Sequence, residues 1–94
     1  MKLDTLEKLL FHELKDLFSA ETQLVEALAK MATASHHPEL RQAFETHLKE
    51  TKTHVTRIKS IFEDSPFEPG GHRCVAMEAL LEEGEQMIKA DAEP

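Results

Sequence analysis

Apolar residues recur along the first third of the chain at alternating steps of three and four, the spacing that places side chains on one face of an α-helix. Asp4 followed three residues later by Glu7 makes a capping box, which marks the start of such a helix. The first helix is therefore predicted over about residues 4–32. Its apolar seam consists of Leu3, Leu6, Leu10, Leu14, Leu17, Leu24, Leu28 and Met31.

A second amphipathic pattern follows a short loop at residues 33–37. Pro38 suits the first position of a helix, where its missing N–H would have no partner, and the helix is predicted over about 38–63. Its seam is Leu40, Phe44, His47, Thr51, His54, Ile58 and Ile61, widened by Leu48, Val55 and Phe62.

Proline and glycine residues at 66–71 break the second helix, and a third is predicted over about 74–90. It places Met77, Leu80, Leu81, Met87 and Ile88 on one side. The pattern predicts an all-α protein: one domain, residues 1–94, formed by a long antiparallel helix hairpin and a third helix.

Composition and charge narrow the function classes. The formal net charge is −7, and residues 74–94 carry −5 of it, which argues against nucleic acid as a partner. Cys74 is the only cysteine, so an internal disulfide is excluded and a reducing compartment is expected. No signal peptide or apolar run of about 20 residues is present, so we expect a cytoplasmic protein with no membrane contact.

Polar residues interrupt both long seams. Glu21 stands in the first helix at a position that otherwise holds Leu or Met. In the second helix His47, Thr51 and His54 occupy the seam, with Glu50 beside them, and these spacings place all four on one face.

The two interruptions fall at a similar height in an antiparallel hairpin. Glu21 lies about ten residues, or roughly 15 Å, before the predicted end of its helix. Ten residues into the second helix is about residue 48. We therefore expect Glu21 to face His47 and Glu50.

A buried carboxylate is costly unless it is paired or bound to metal. A Glu from one helix with a Glu and a His from its neighbour is half of a di-metal carboxylate site, with ligands that suit iron, manganese or zinc. Two other interpretations stay open: Glu21 hydrogen-bonds His47 or His54 without metal, or it lies in an open groove. The order His47-x-x-Glu50 reverses the usual Glu-x-x-His motif, and Thr53 stands where that motif has its His.

The remaining histidines carry weaker signals. His12 and Asp16 are four residues apart, which favours a surface pair. His36 and His37 fall in a turn and are expected to be exposed. His72 and Cys74 are close together but lack two further ligands for a zinc site.

Three stretches, LFHELKDLFSAETQL (10–24), HLKET (47–51) and CVAMEALLEEG (74–84), resemble the YciE/YciF family of bacterial stress proteins in order and spacing. The resemblance covers essentially the whole chain. It implies a bacterial, ferritin-like helical bundle that dimerises and binds two metal ions. The family's acids and histidine match Glu21, Glu50 and His47, and His12 matches a recurring family position. His54 is included as a ligand on seam geometry alone.

Members of that family continue with two more long helices, which complete the bundle and supply the remaining ligands. This chain ends at Pro94, as a shortened product or as a natural half-length version. Two long helices and a shorter one leave leucines exposed, so we expect a homodimer that completes a four-helix bundle.

The sequence thus predicts a ferritin-like, non-haem di-metal protein of stress physiology. Two iron ions per bundle, or manganese or zinc in their place, would be held by Glu21, Glu50, His47 and His54. Whether the protein is an enzyme stays open; the expected reaction is oxidation of Fe(II). The alternative is a non-enzymatic structural or interaction protein whose buried polar layer fixes helix register without metal.

Overall fold

A computed structural model describes residues 5–90 and contains three α-helices and no strand within that range. They are α1 (Leu6–Ala34), α2 (Pro38–Glu63) and α3 (Val75–Lys89). The predicted all-α class and the three predicted helices are confirmed. No helix in this part of the chain combines the length and the apolar character that a membrane crossing requires.

The helix starts follow from local side-chain chemistry. The hydroxyl of Thr5 accepts a hydrogen bond from the Lys8 N–H at 3.1 Å and so caps α1. Asp4, the predicted capping residue, lies outside the described residues. Pro38 begins α2 as predicted, and Cys74 immediately precedes α3.

An aromatic cluster joins α1 to α2 at the end of the hairpin away from its turn. Phe11, Ile58 and Phe62 are buried, and Leu14, Phe18 and Phe67 pack around them. The Phe11 ring meets Phe62 edge-on at 5.3 Å and stacks on Phe67 at 4.7 Å. Such aromatic pairs add about 0.5–1.5 kcal/mol each beyond the burial of their area, so this cluster fixes how the two helices are aligned.

One edge of the predicted α1 seam is exposed in a single chain, as expected from the leucines that the sequence leaves uncovered. Leu6, Leu10 and Leu17 are 84%, 55% and 45% exposed, whereas Phe11 and Leu28 are buried. The apolar arc of α1 is wider than one partner helix can cover. Because the aromatic side of that arc meets α2, the leucine edge is left facing outward.

The third helix packs on α1 and makes no comparable contact with α2. None of its own residues is buried, and Leu80 and Met87 are exposed, so the predicted apolar side of α3 is only partly covered. A cleft of about 550 Å³ remains between α1 and α3. Apolar packing along α3 is therefore sparse.

Polar contacts fix the start of α3 to α1; we call the residues involved, Asp16, Ser19, Gln23, His72 and Cys74, the clasp. The Cys74 N–H donates to Ser19 Oγ at 2.8 Å, and the Gln23 amide donates to the Cys74 carbonyl at 3.1 Å. His72 Nε2 lies 2.8 Å from Asp16 Oδ1.

The predicted surface pair between His12 and Asp16 is not observed, since the hydrogen-bonding partner of Asp16 is His72. The His12 ring lies edge-on to the His72 ring, with centroids 5.7 Å apart. Residues 16 and 72 come together only through the docking of α3, which helical spacing within α1 cannot reveal.

The hydrogen bond to His72 lowers the pKa of the Asp16 carboxyl from its ordinary value of 3.8, against a smaller opposing effect of partial burial. A hydrogen bond with Cys74 and the charges of His72 and His12 act in the same direction as the His72 bond. The stabilisation from a carboxylate with a lowered pKa is present above its unfolded pKa and is lost as pH falls through the folded pKa.

We therefore expect Asp16→Asn to lower the melting temperature at about pH 6, and the difference from the wild type to shrink as the pH falls below the ordinary carboxyl pKa of 3.8. Thermal unfolding followed by circular dichroism across this range measures the effect. Glu13→Gln, a charge removal at an exposed position of the same helix, serves as the control. An Asp16→Asn defect of constant size down to pH 3 would contradict the assignment.

Candidate metal centre

Glu21 of α1 and His54 of α2 meet across the hairpin. Glu21 Oε1 lies 3.6 Å from His54 Nδ1, with side chains 20% and 46% exposed. This distance is too long for a hydrogen bond, so the contact is a loose ion pair when His54 carries two protons. The structure thus brings together two of the four predicted ligands.

The second carboxylate oxygen of Glu21 has no partner. Glu21 Oε2 is buried and accepts no hydrogen bond. A buried acceptor left unpaired costs about 1–3 kcal/mol, and more when it is charged. Neither Glu21 oxygen accepts a hydrogen bond from His54 in this geometry, so of the metal-free interpretations with His54 the structure shows only the loose ion pair.

Thr51 lies one turn before His54 and is fully buried, at 0% exposure. Its hydroxyl donates to the His47 carbonyl at 2.8 Å, so its polar group is satisfied within its own helix. A small side chain is thus fully buried within one turn of the Glu21–His54 pair. The prediction that position 51 faces the hairpin interior is confirmed.

His47 and Glu50 are exposed on α2 and do not pair with Glu21. The reason lies in the length of α1, which ends at Ala34 and not at the predicted residue 32. Glu21 lies 13 residues before Ala34, and the residue 13 after Pro38 is Thr51. Glu21 therefore lies opposite a position of α2 that is closer to His54 than to His47. A ligand role for His47 and Glu50 stays a prediction.

The described part of one chain does not bring together a complete set of metal ligands. Among residues 5–90, no group of three or more His, Cys, Asp or Glu side chains is arranged to hold an ion. His36 and His37 are exposed in the loop between α1 and α2, as expected for a turn.

The Glu21–His54 pair borders an uncovered apolar surface. Leu10 and Leu17 are seven residues apart on α1, and His54 and Ile61 are seven apart on α2, so each pair shares a helix face. We call these four residues the open face; Leu17 and Ile61 are 45% and 46% exposed. A carboxylate and an imidazole, groups that suit hard and borderline cations, thus lie beside apolar surface that a partner can cover.

A domain family described as domain of unknown function DUF892 matches residues 5–94. The chain belongs to the DUF892 family. It is 42% identical over 91 residues to protein YciF of Escherichia coli K12. The matched region covers 96% of this chain and 55% of YciF. The predicted resemblance to the YciE/YciF family is confirmed.

Two solved structures share the fold. The crystal structure of the E. coli stress protein YciF matches with a TM-score of 0.82 at 43% identity, over 90% of this chain and 54% of that one. YcfI of Rhodopseudomonas palustris, described as a candidate structural protein, matches with a TM-score of 0.82 at 32% identity, over 92% and 55%. This DUF892 chain spans about half the length of these relatives.

The unpaired carboxylate leads to a stability prediction. In protein treated with a chelator, Glu21→Leu should raise the free energy of unfolding by about 1–3 kcal/mol, because it removes a buried acceptor without a partner and extends the apolar face. Urea unfolding at fixed protein concentration measures this. Glu13→Leu is the matched control on an exposed part of α1. A large loss of stability in Glu21→Leu would show that Glu21 is satisfied in the metal-free protein.

Proposed function

We propose that this chain is a ferritin-like metal-binding protein of bacterial stress physiology, whose metal site is completed when a second copy covers the open face. The observation that carries this proposal is the buried, unpaired Glu21 Oε2 next to His54. A carboxylate held in this way, with an imidazole beside it, has the form of an incomplete ligand set.

The chemistry of the donors fits a first-row divalent ion. Each chain offers Glu21 and His54 at the hairpin, with Glu50 and His47 exposed within one or two turns of His54. Two copies together provide four carboxylates and two or more imidazoles, the ligand inventory of di-iron carboxylate bundles. Bound iron would supply exchange between the ferrous and ferric states, with oxygen or peroxide as the electron acceptor.

A second copy is the partner that best fits the open face. A second copy presents the same exposed Leu10, Leu17 and Ile61, so two open faces can cover each other across a two-fold axis. Two helix hairpins packed face to face make a four-helix bundle. Leu10, Leu17 and Ile61 would then be buried, and Glu21 and His54 would lie near the interface.

The association with stress comes from the relative, since YciF is described as a stress protein. The description of YcfI as a structural protein supports a rival function. In this alternative, polar residues between the helices fix the register of the helices without metal. Both functions involve association of hairpins. Only the first requires that Glu21 binds an ion.

Metal content separates the two functions. Untagged protein incubated anaerobically with Fe(II) and desalted should retain about one iron per chain, since a di-metal bundle binds about two ions. Glu21→Ala should lose this iron, and Glu13→Ala should retain it. The melting temperature of the wild type should also rise with Fe(II) or Mn(II), because an ion that binds only the folded form stabilises it.

Admission of oxygen to the Fe(II)-loaded protein should then produce ferric absorbance in the wild type and not in Glu21→Ala. Equal iron retention by the wild type and Glu21→Ala would rule out the metal site. It would leave the register function standing if the protein still associates.

The open face generates a separate prediction about association. Leu17→Lys should shift the protein from dimer to monomer, because it places a charge in the proposed interface. Leu80→Lys, an equivalent change at the exposed surface of α3, should leave the dimer intact. Sedimentation velocity over a range of concentrations measures both. A wild type that stays monomeric at high concentration with metal present would contradict the proposed assembly.

A further inference from the structure

We propose that residues 70–90 form an arm that opens and closes on α1 as a unit, with the clasp as its closure and Gly70–Gly71 as its hinge. This proposal concerns the side of α1 that faces α3 and does not depend on the metal site. Opening of the arm would uncover the thiol of Cys74.

The arm is weakly attached along its length. No residue of α3 is buried, the helix packs on α1 alone, and a cleft of about 550 Å³ separates the two helices beside their contact. The apolar area that would hold a docked helix in place is therefore small. A segment with few buried contacts opens at a free energy below that of global unfolding.

The hinge lies between two points of attachment to α1, the aromatic cluster at Phe67 and the clasp, which begins at His72. Phe67 is stacked on Phe11 in the aromatic cluster, so the linker is fixed up to that residue. Gly71 then has a φ of 85°, a conformation that glycine adopts without strain. A Cβ at Gly70 or Gly71 would meet nothing within 4 Å, so neither glycine is held in place by close packing.

The clasp holds the near end of the arm through specific polar contacts. The buried Ser19 hydroxyl oxygen accepts from the Cys74 N–H at 2.8 Å, and Gln23 donates to the Cys74 carbonyl. Asp16 and His72 form the more exposed contact, with side chains 45% and 33% exposed. Opening of the arm exchanges these contacts for hydrogen bonds to water, so the closed state is favoured only modestly.

Cys74 provides a natural probe of this motion. It is the only cysteine of the chain, it is 7% exposed, and it lies in the clasp. Reaction of its thiol with a maleimide requires that the arm leaves α1. Labelling rates measured as a function of urea concentration therefore report the opening, provided that each rate is divided by that of the unfolded chain in the same buffer.

In the wild type we expect labelling at low urea with a shallow urea dependence, since opening exposes much less surface than unfolding does. Ser19→Ala should accelerate labelling about tenfold, because it leaves the Cys74 N–H without its acceptor. Asp16→Ala should accelerate it about threefold, as expected for an exposed ion pair. Glu13→Ala should have no effect, and all three variants should retain the helix content of the wild type by circular dichroism.

The proposal would be overturned by labelling that follows the urea dependence of global unfolding, which would mean that Cys74 is released only when the whole chain unfolds. Equal labelling rates for Ser19→Ala, Asp16→Ala and Glu13→Ala would also overturn it. The Asp16 variant changes an exposed side chain, so it keeps the test valid if Ser19→Ala is poorly folded.

Discussion

The arrangement of the hairpin depends on the aromatic cluster of Phe11, Phe62 and Phe67. It selects which side of α1 meets α2, and it fixes the position of the helices along each other far from their connecting turn. Both consequences reach the candidate metal centre. The rotation of α1 turns its leucine edge outward, and the alignment along the axis places Glu21 opposite His54.

Much of the fold could be predicted from the sequence because its signals are local. The periodicity of apolar residues predicted each helix, and Pro38 marked the start of α2 to the residue. Which edge of a wide apolar arc becomes buried is a different question, since Leu10 and Phe11 are adjacent and equally compatible with the helical pattern. Only the stacking of rings from three separate segments decides it, and no spacing within one helix contains that information.

The candidate site shows the same limit. Seam position correctly brought out Glu21, Thr51 and His54 as residues at the hairpin, since a polar residue within an apolar repeat is conspicuous. The pairing across the helices required the true end of α1, and an error of two residues there moved the expected partner of Glu21 from His54 to His47. The contact of Asp16 with His72 joins residues 56 positions apart and had no sequence signal.

The two sides of α1 have different physical characters. On the side of the open face, α1 has exposed apolar area and a carboxylate oxygen without a hydrogen bond. These features favour a partner that supplies apolar contacts and a positively charged group. Toward α3, the contacts are mostly polar and close to water, so they exchange readily. One long helix therefore presents exposed apolar area along one edge and polar, water-accessible contacts along the other.

The burial of Thr51 has a consequence for how the site can vary among related chains. This side chain donates its hydroxyl proton to its own helix and is fully buried one turn before His54, so a bulkier residue there would have to displace its surroundings. A position that contributes no atom to the Glu21–His54 pair is thus placed to affect the geometry of that pair. Substitution at such a position can change the carboxylate–imidazole distance while Glu21 and His54 stay the same.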